Sequence, residues 1–292
     1  MSKFRVSPRT VTLAAALVGM VSLAIGAHAA LNKRSLEVAK ALAVADTADT
    51  SVAPGKPTRV ALVIGNGHYP DANQPLGQSI NDARALADVL RRDGFDVDMV
   101  EDANQADMAR ALTRLKSKLH RDSVAMLFFS GFGIQAGRES YMIPVDAQIW
   151  KETDVRRYGL SVESFLAAMT ERGAKAKLAI IDASRRNPYE RRFRTYSHGL
   201  APISVPDNTL ILSSATPGSV VDDAKGQYSL LVTELLKNLD TPAASAGAVF
   251  SKTRLAVSRA TDGGQVPTIS SSLVGDVPFA APTAVAAGNT GS

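Results

Sequence analysis

Apolar runs of strand length recur through this chain and limit what it can fold into: Val60–Ile64, Val124–Phe129, Leu178–Ile181 and Thr209–Leu212. None shows the polar alternation of a half-solvated strand. Each therefore reads as a strand covered on both faces, the condition of a parallel sheet. Phe95–Val100 alternates and reads as a further strand. Between the runs lie stretches of helical periodicity. One opens at Asn81-Asp82, carries Ala83, Leu86, Ala87 and Leu90 on one face, and stops near Gly94. The next, Asp102–Leu119, presents Met108, Leu112, Leu115 and Leu119. Ser161 caps a helix reaching Arg172, and Tyr228–Leu239 and Ala248–Ala260 follow as helices around Thr241-Pro242-Ala243. Gln265–Ile269 contains Pro267 and fits an edge strand. This alternation from Arg59 onward predicts an α/β fold. It is a three-layer αβα sandwich around a mainly parallel sheet of roughly six strands, with right-handed crossovers.

Such a sheet gathers ligands at the carboxyl ends of its strands. Two runs deliver small and polar residues there: Leu127-Phe128-Phe129-Ser130-Gly131-Phe132-Gly133, and Leu178-Ala179-Ile180-Ile181-Asp182-Ala183-Ser184-Arg185-Arg186-Asn187-Pro188. Gly65-Asn66-Gly67 turns the chain after the first run, but lacks the G-x-G-x-x-G spacing of a dinucleotide fingerprint.

The chain holds no cysteine. That excludes a thiolate nucleophile, Cys-ligated zinc and dithiol redox chemistry. The formal charge of +5 is unevenly placed: Lys3, Arg5 and Arg9 precede the first acidic residue, and without them 30 basic residues face 28 acidic ones. No basic face marks a nucleic-acid binder. The dense basic cluster Arg185–Arg194 reads as part of a long loop over 185–206, either solvated or gripping an acidic partner.

Residues 1–29 read as a signal peptide: basic residues, the apolar run Val11–Ile25, then Ala27-His28-Ala29 as an A-x-A cleavage pattern. The run is shorter than the roughly 20 residues of a spanning helix, which ranks an uncleaved anchor second. The expectation is a periplasmic or secreted protein without stable membrane insertion. Residues 30–58 then form a linker, 59–279 the domain, and 280–292 a disordered tail.

Several segments, in order and at matching spacing, resemble a known family. Val60–Tyr69, Ile80-Asn81-Asp82-Ala83, Gly94–Val97, Phe128–Gly133, Tyr141–Asp146, Asp182–Pro188, Ser214–Gly218, Gln227-Tyr228-Ser229 and Gln265-Val266-Pro267 look like a bacterial caspase-like domain of peptidase family C14, near the metacaspases and paracaspases. The resemblance implies a caspase-like sandwich and a cysteine-type endopeptidase lineage, with no cofactor and no metal in the site. It also marks two departures. Where the family has Ser-Gly-His-Gly this chain has Phe132, and where it has Asp-Ala-Cys-Arg-x-Asn-Pro it has Ser184. A serine hydroxyl attacks only with a base in contact, and phenylalanine supplies none. Losing nucleophile or base lowers turnover by about 10⁶. The resemblance further implies oxyanion-hole N–H groups at Gly133 and Ser184. It implies a pocket in which Asp82 and Asp182 favour an Arg or Lys side chain.

The expected function is therefore an inactive pseudo-peptidase that binds a peptide or protein in the former substrate cleft. The alternatives are a hydrolase using Ser184 with His68 or His198 as base, and a purely structural scaffold. Residue by residue, blander readings stand alongside. Ser184 fits a small polar turn residue. His68 and His198 fit loop residues, and His120 fits a cation at a helix C-terminus. Asp82 fits a helix-starting carboxylate. Asp182 ends a buried strand and needs a partner, which Arg185 or Arg186 can supply.

Overall fold

The structure is a computed structural model and describes residues 58–70, 75–192, 199–221, 226–240 and 244–280. The expected signal peptide, the linker up to residue 57, His28, His198 and the tail beyond residue 280 lie outside the described residues. Among the described residues no helix is long and apolar enough to cross a membrane.

The apolar runs form the central sheet. Strands β1 (Arg59–Gly65), β2 (Asp96–Glu101), β3 (Val124–Ser130), β7 (Ala176–Asp182), β8 (Thr209–Ser213) and β9 (Thr268–Ser271) lie in the order β2-β1-β3-β7-β8-β9. Every neighbouring pair is parallel except β8–β9, which is antiparallel. A second sheet joins β4 (Gly133–Ala136), β5 (Glu139–Met142) and β6 (Leu160–Ser161). The expected hairpin around Tyr141 is present as antiparallel β4–β5.

Side chains of the parallel strands alternate between two layers, as strand geometry requires. Ala61, Val63, Met126, Phe128, Leu178 and Ile180 face α1 (Gly77–Arg92), α5 (Leu230–Leu239) and α6 (Ala246–Ala260). Leu62, Ile64, Leu127, Phe129, Ala179 and Ile181 face α2 (Gln105–Lys118) and α4 (Val162–Glu171). The result is the α/β three-layer sandwich with a mostly parallel six-stranded sheet. A short helix, α3 (Glu152–Tyr158), precedes β6 and escaped the periodicity argument because only Val155 is buried on it.

The helices expected from Tyr228 and Ala248 begin two residues away, at Leu230 and Ala246, and two other starts differ by more. Helix α1 begins at Gly77 rather than Asn81-Asp82, with Leu76 at its cap and no side-chain capping bond. Asp82 thus sits in the second turn, beyond the reach of the dipole argument. Helix α2 begins at Gln105, because Asp102 adopts a left-handed conformation (φ 45°) and Asn104 with Asp107 forms a capping box.

Asn66 ties three segments together just past β1. It is fully buried, accepts from Ala103 N (2.8 Å), and donates through Nδ2 to Ala103 O (3.3 Å) and Ile143 O (3.1 Å). Removing a buried partner leaves backbone groups unsatisfied at about 1–3 kcal/mol each. Asn66→Ala should therefore lower stability by about 3 kcal/mol, read as a lower urea midpoint at unchanged slope.

Candidate functional site

The ends of β3 and β7 leave the sheet side by side. Ser130 and Asp182 are register partners, and the pairing continues past the strands through Gly131 N to Asp182 O (3.3 Å) and Gly133 N to Ala183 O (3.0 Å). The second contact is close: a Cβ at Gly133 would stand 2.8 Å from the Ala183 carbonyl oxygen and 2.7 Å from Leu200 Cδ2. Phe132 and Ser184 therefore occupy adjacent loops at the carboxyl edge, as the spacing of the two motifs predicted.

Their surroundings are unlike a solvated catalytic cleft. Phe132 is 6% exposed and belongs to an apolar cluster with Leu76, Ile134, Tyr141, Ile143 and Val155. Its ring meets Tyr69 edge-on, centroids 4.8 Å apart. Its N–H donates to the Tyr69 hydroxyl (3.0 Å), which donates in turn to Ile143 O (3.0 Å). Burial raises the Tyr69 phenol far above its ordinary pKa, so it stays neutral and acts as a bridge.

Ser184 is 1% exposed. Its N–H donates to Ser214 Oγ (3.3 Å) and its carbonyl accepts from Val221 N (2.7 Å). The two N–H groups expected to line an oxyanion hole, those of Gly133 and Ser184, are thus both committed within the protein.

His68, in the loop after β1, is held by Asp102. Its Nδ1 lies 2.6 Å from Asp102 Oδ2, and the Gly67 and His68 N–H groups donate to Asp102 Oδ1 at 2.8 and 2.9 Å. Burial alone would raise Asp102, but these donors together hold its carboxyl below the usual value. Asp102 follows β2, so the imidazole is drawn toward the β2 side of the edge. β1 and β3 separate β2 from β7, about 14 Å at about 4.8 Å per strand. His120 lies just past the Leu119 cap of α2, outside the helix expected to end with it, and meets Thr58 Oγ1 (2.8 Å) at the opposite edge.

Asp82 and Asp182 do come together. They are 0% and 2% exposed, and the Asp182 carboxylate lies close enough to act on Asp82. Asp82 accepts from Ser229 N through Oδ1 (2.9 Å), while Oδ2 of both aspartates has no hydrogen-bond partner. Burial first, and the Asp182 carboxylate second, push Asp82 up to about 7 against the opposing pull of Ser229 and Arg185. The partner anticipated for Asp182 is Arg185, not Arg186. Arg185 is 5% exposed and its guanidinium donates to Gly131 O (3.1 Å) and to Asp182 O, with Asp182 Oδ1 at 3.7 Å. Arg186 faces solvent.

The basic cluster is accordingly divided rather than a uniform solvated face. Arg192 donates to Ile149 O (2.7 Å) and lies over the Trp150 and Tyr189 rings at 4.5 and 5.4 Å. Sequence reasoning missed the Tyr69 bridge and the buried, unpartnered hydroxyls of Ser79 and Ser130 beside the aspartates. The available signal was the i, i+3 spacing of Ser79 and Asp82 on one helix face.

Comparison with known proteins agrees with this architecture. The family model described as Caspase domain (Peptidase_C14) matches residues 58–278. The human mucosa-associated lymphoid tissue lymphoma translocation protein 1 is 28% identical over 133 residues, covering 45% of this chain and 16% of that protein. Its mouse homolog matches over the same extent with the same identity. The chain is thus similar to a small part of these relatives' length. The match spans most of this sequence, from β1 through β9, and the chain belongs to the caspase domain family, Peptidase_C14.

Proposed function

We propose that this caspase-domain protein is a pseudo-peptidase: it binds a peptide or protein segment bearing a basic side chain at the carboxyl edge and does not cleave it. The observation that carries the reading is the pairing of Phe132 with Ser184 on the two facing loops, where a peptidase needs a base and a nucleophile. His68 is engaged with Asp102 several strands away. The buried Asp82–Asp182 pair supplies the negative charge that favours a cationic side chain. Export is part of the proposal and rests on the basic, apolar and A-x-A segments of residues 1–29. Expression in a secreting host should yield a chain whose mature N-terminus is Ala30 by mass spectrometry; an intact Met1 would overturn the export claim.

The purified full chain, incubated with fluorogenic peptides ending in Arg or Lys, should show turnover about 10⁶ below that of a Cys–His peptidase. Cleavage abolished by Ser184→Ala would establish a serine hydrolase instead. Binding of an Arg-terminated peptide should weaken at least about tenfold, about 1.4 kcal/mol, in Asp182→Asn. The double variant Phe132→His with Ser184→Cys should still bind but not cleave. Its nucleophile and base return, while the Gly133 and Ser184 N–H groups remain bonded elsewhere. Recovered turnover would mean that ligand binding releases them.

A further inference from the structure

The amino ends of the central strands frame a cavity of about 340 Å³. It lies at the far end of the sheet from Phe132 and Ser184: β1, β3 and β7 each run seven residues, about 20 Å at about 3.3 Å per residue. Its floor is one rung of the sheet. Arg59, Val124 and Ala176 are register partners across β1, β3 and β7. Asn208 stands next in that row, just before β8, whose Thr209 pairs with Lys177. Residues 273–278, the segment after β9, form the opposite wall. The volume falls within the range of about 300–1,000 Å³ typical of small-molecule sites.

The lining is amphipathic. Val124 and Ala176 are buried in the floor, and Leu273, Val274, Val277 and Pro278 face them. Val274 is 91% exposed, more than any other large apolar side chain among the described residues. The ionisable groups of the lining are Arg59, Lys175 and Asp276. Arg59 is committed to the wall: Nη1 donates to Phe279 O (2.7 Å), and Nη2 to Pro278 O (2.8 Å) and Ala280 O (3.2 Å). It thereby fixes the segment that closes the cavity. Lys175 is different. Its backbone N–H donates to Ser123 O (2.9 Å), but among the described residues its ammonium has no hydrogen bond or ion pair. The same is true of the Asn208 side-chain amide, on a residue whose backbone is left-handed (φ 50°) and whose carbonyl accepts from Lys177 N (2.9 Å). Asp276 is exposed and pairs with neither cation among the described residues. Two cations against one carboxylate leave the lining with one positive charge in excess. From outside it, Asp93 acts on Arg59 and Asp207 on Lys177.

We infer that this cavity is a second binding site, for a medium-chain aliphatic carboxylate. The carboxylate head pairs with the Lys175 ammonium and accepts from the Asn208 side-chain amide, the two polar groups of the lining that have no partner of their own. The alkyl chain lies along Val124 and Ala176, beneath Leu273, Val277 and Pro278, and removes Val274 from water. A compact, multiply charged anion would leave these apolar walls uncovered. An alkylammonium would bring a charge of the same sign as Arg59 and Lys175. The site shares no residue with the carboxyl edge, so it stands or falls independently of the basic-ligand reading.

The test is calorimetry of the full chain with sodium octanoate at neutral pH. Octanoate should bind with a dissociation constant at or below about 1 mM. Hexanoate should bind about tenfold more weakly, because two methylenes leave the apolar walls. Octylammonium should bind several-fold more weakly than octanoate. Lys175→Gln should weaken octanoate about fivefold, the effect of losing an exposed ion pair. Asn208→Gly, which keeps the left-handed backbone, should weaken it several-fold. Neither residue is buried, and unchanged melting temperatures check that both variants fold. An aliphatic diazirine carboxylate, irradiated in place of octanoate, should label Val124, Ala176 or residues 273–278, read by peptide mass spectrometry. Octanoate binding weaker than about 1 mM, or labels confined to other residues, overturns the site. Octylammonium binding as tight as octanoate, or Lys175→Gln without effect, overturns the carboxylate assignment. Equal affinity for hexanoate and octanoate overturns the apolar seat of the chain, and Asn208→Gly without effect overturns the amide contact.

Discussion

The carbonyls of Gly131 and Asp182 point out of the last turn of the sheet into a gap that a buried cation fills. Arg185 donates to both from the loop after β7, with the Asp182 carboxylate nearby. A buried guanidinium needs such acceptors, because an uncompensated charge in this position is strongly unfavourable. The same contacts fix how far apart the two loops can be. Phe132, Gly133 and Ser184 take their positions from this clamp and from the Gly133–Ala183 bond that continues it. Arg185 follows Ser184 directly, so Ser184 and the clamp move together.

That anchoring has a chemical side. An oxyanion hole works when N–H groups are held ready with no partner until charge develops. At this edge the N–H of Gly133 bonds to Ala183 and that of Ser184 to Ser214. The Phe132 ring, the Ser184 side chain and both committed donors fall on two adjacent loops. The two buried aspartates supply the strong electrostatic feature of this edge.

The sheet was legible because Val60–Ile64 and Val124–Phe129 are apolar without interruption, a pattern that only a two-face-covered strand explains. Helix starts were less legible. Leu76 carries no capping side chain, so the sequence offers no mark for α1 before Asn81. Asp102 looks like a helix-starting carboxylate, yet its left-handed backbone turns it back to hold His68. At the site, the positions of Phe132 and Ser184 followed from motif order. Their burial did not, because exposure depends on what the hairpin and the loop after β7 bring over them. The choice between Arg185 and Arg186 as partner of Asp182 was open for the same reason. Adjacent residues leave the chain in different directions, and only the fold decides which one turns inward.

The edge-on contact between Phe132 and Tyr69 has a consequence for what else that position can hold. A phenyl ring seated among Leu76, Ile134, Ile143 and Val155 has become part of the load the hairpin carries. An imidazole there would place two polar nitrogens in an apolar niche and lose well-packed surface. Phe132 is therefore held in place by packing alone, and any polar replacement there carries a cost in stability whatever chemistry the edge performs.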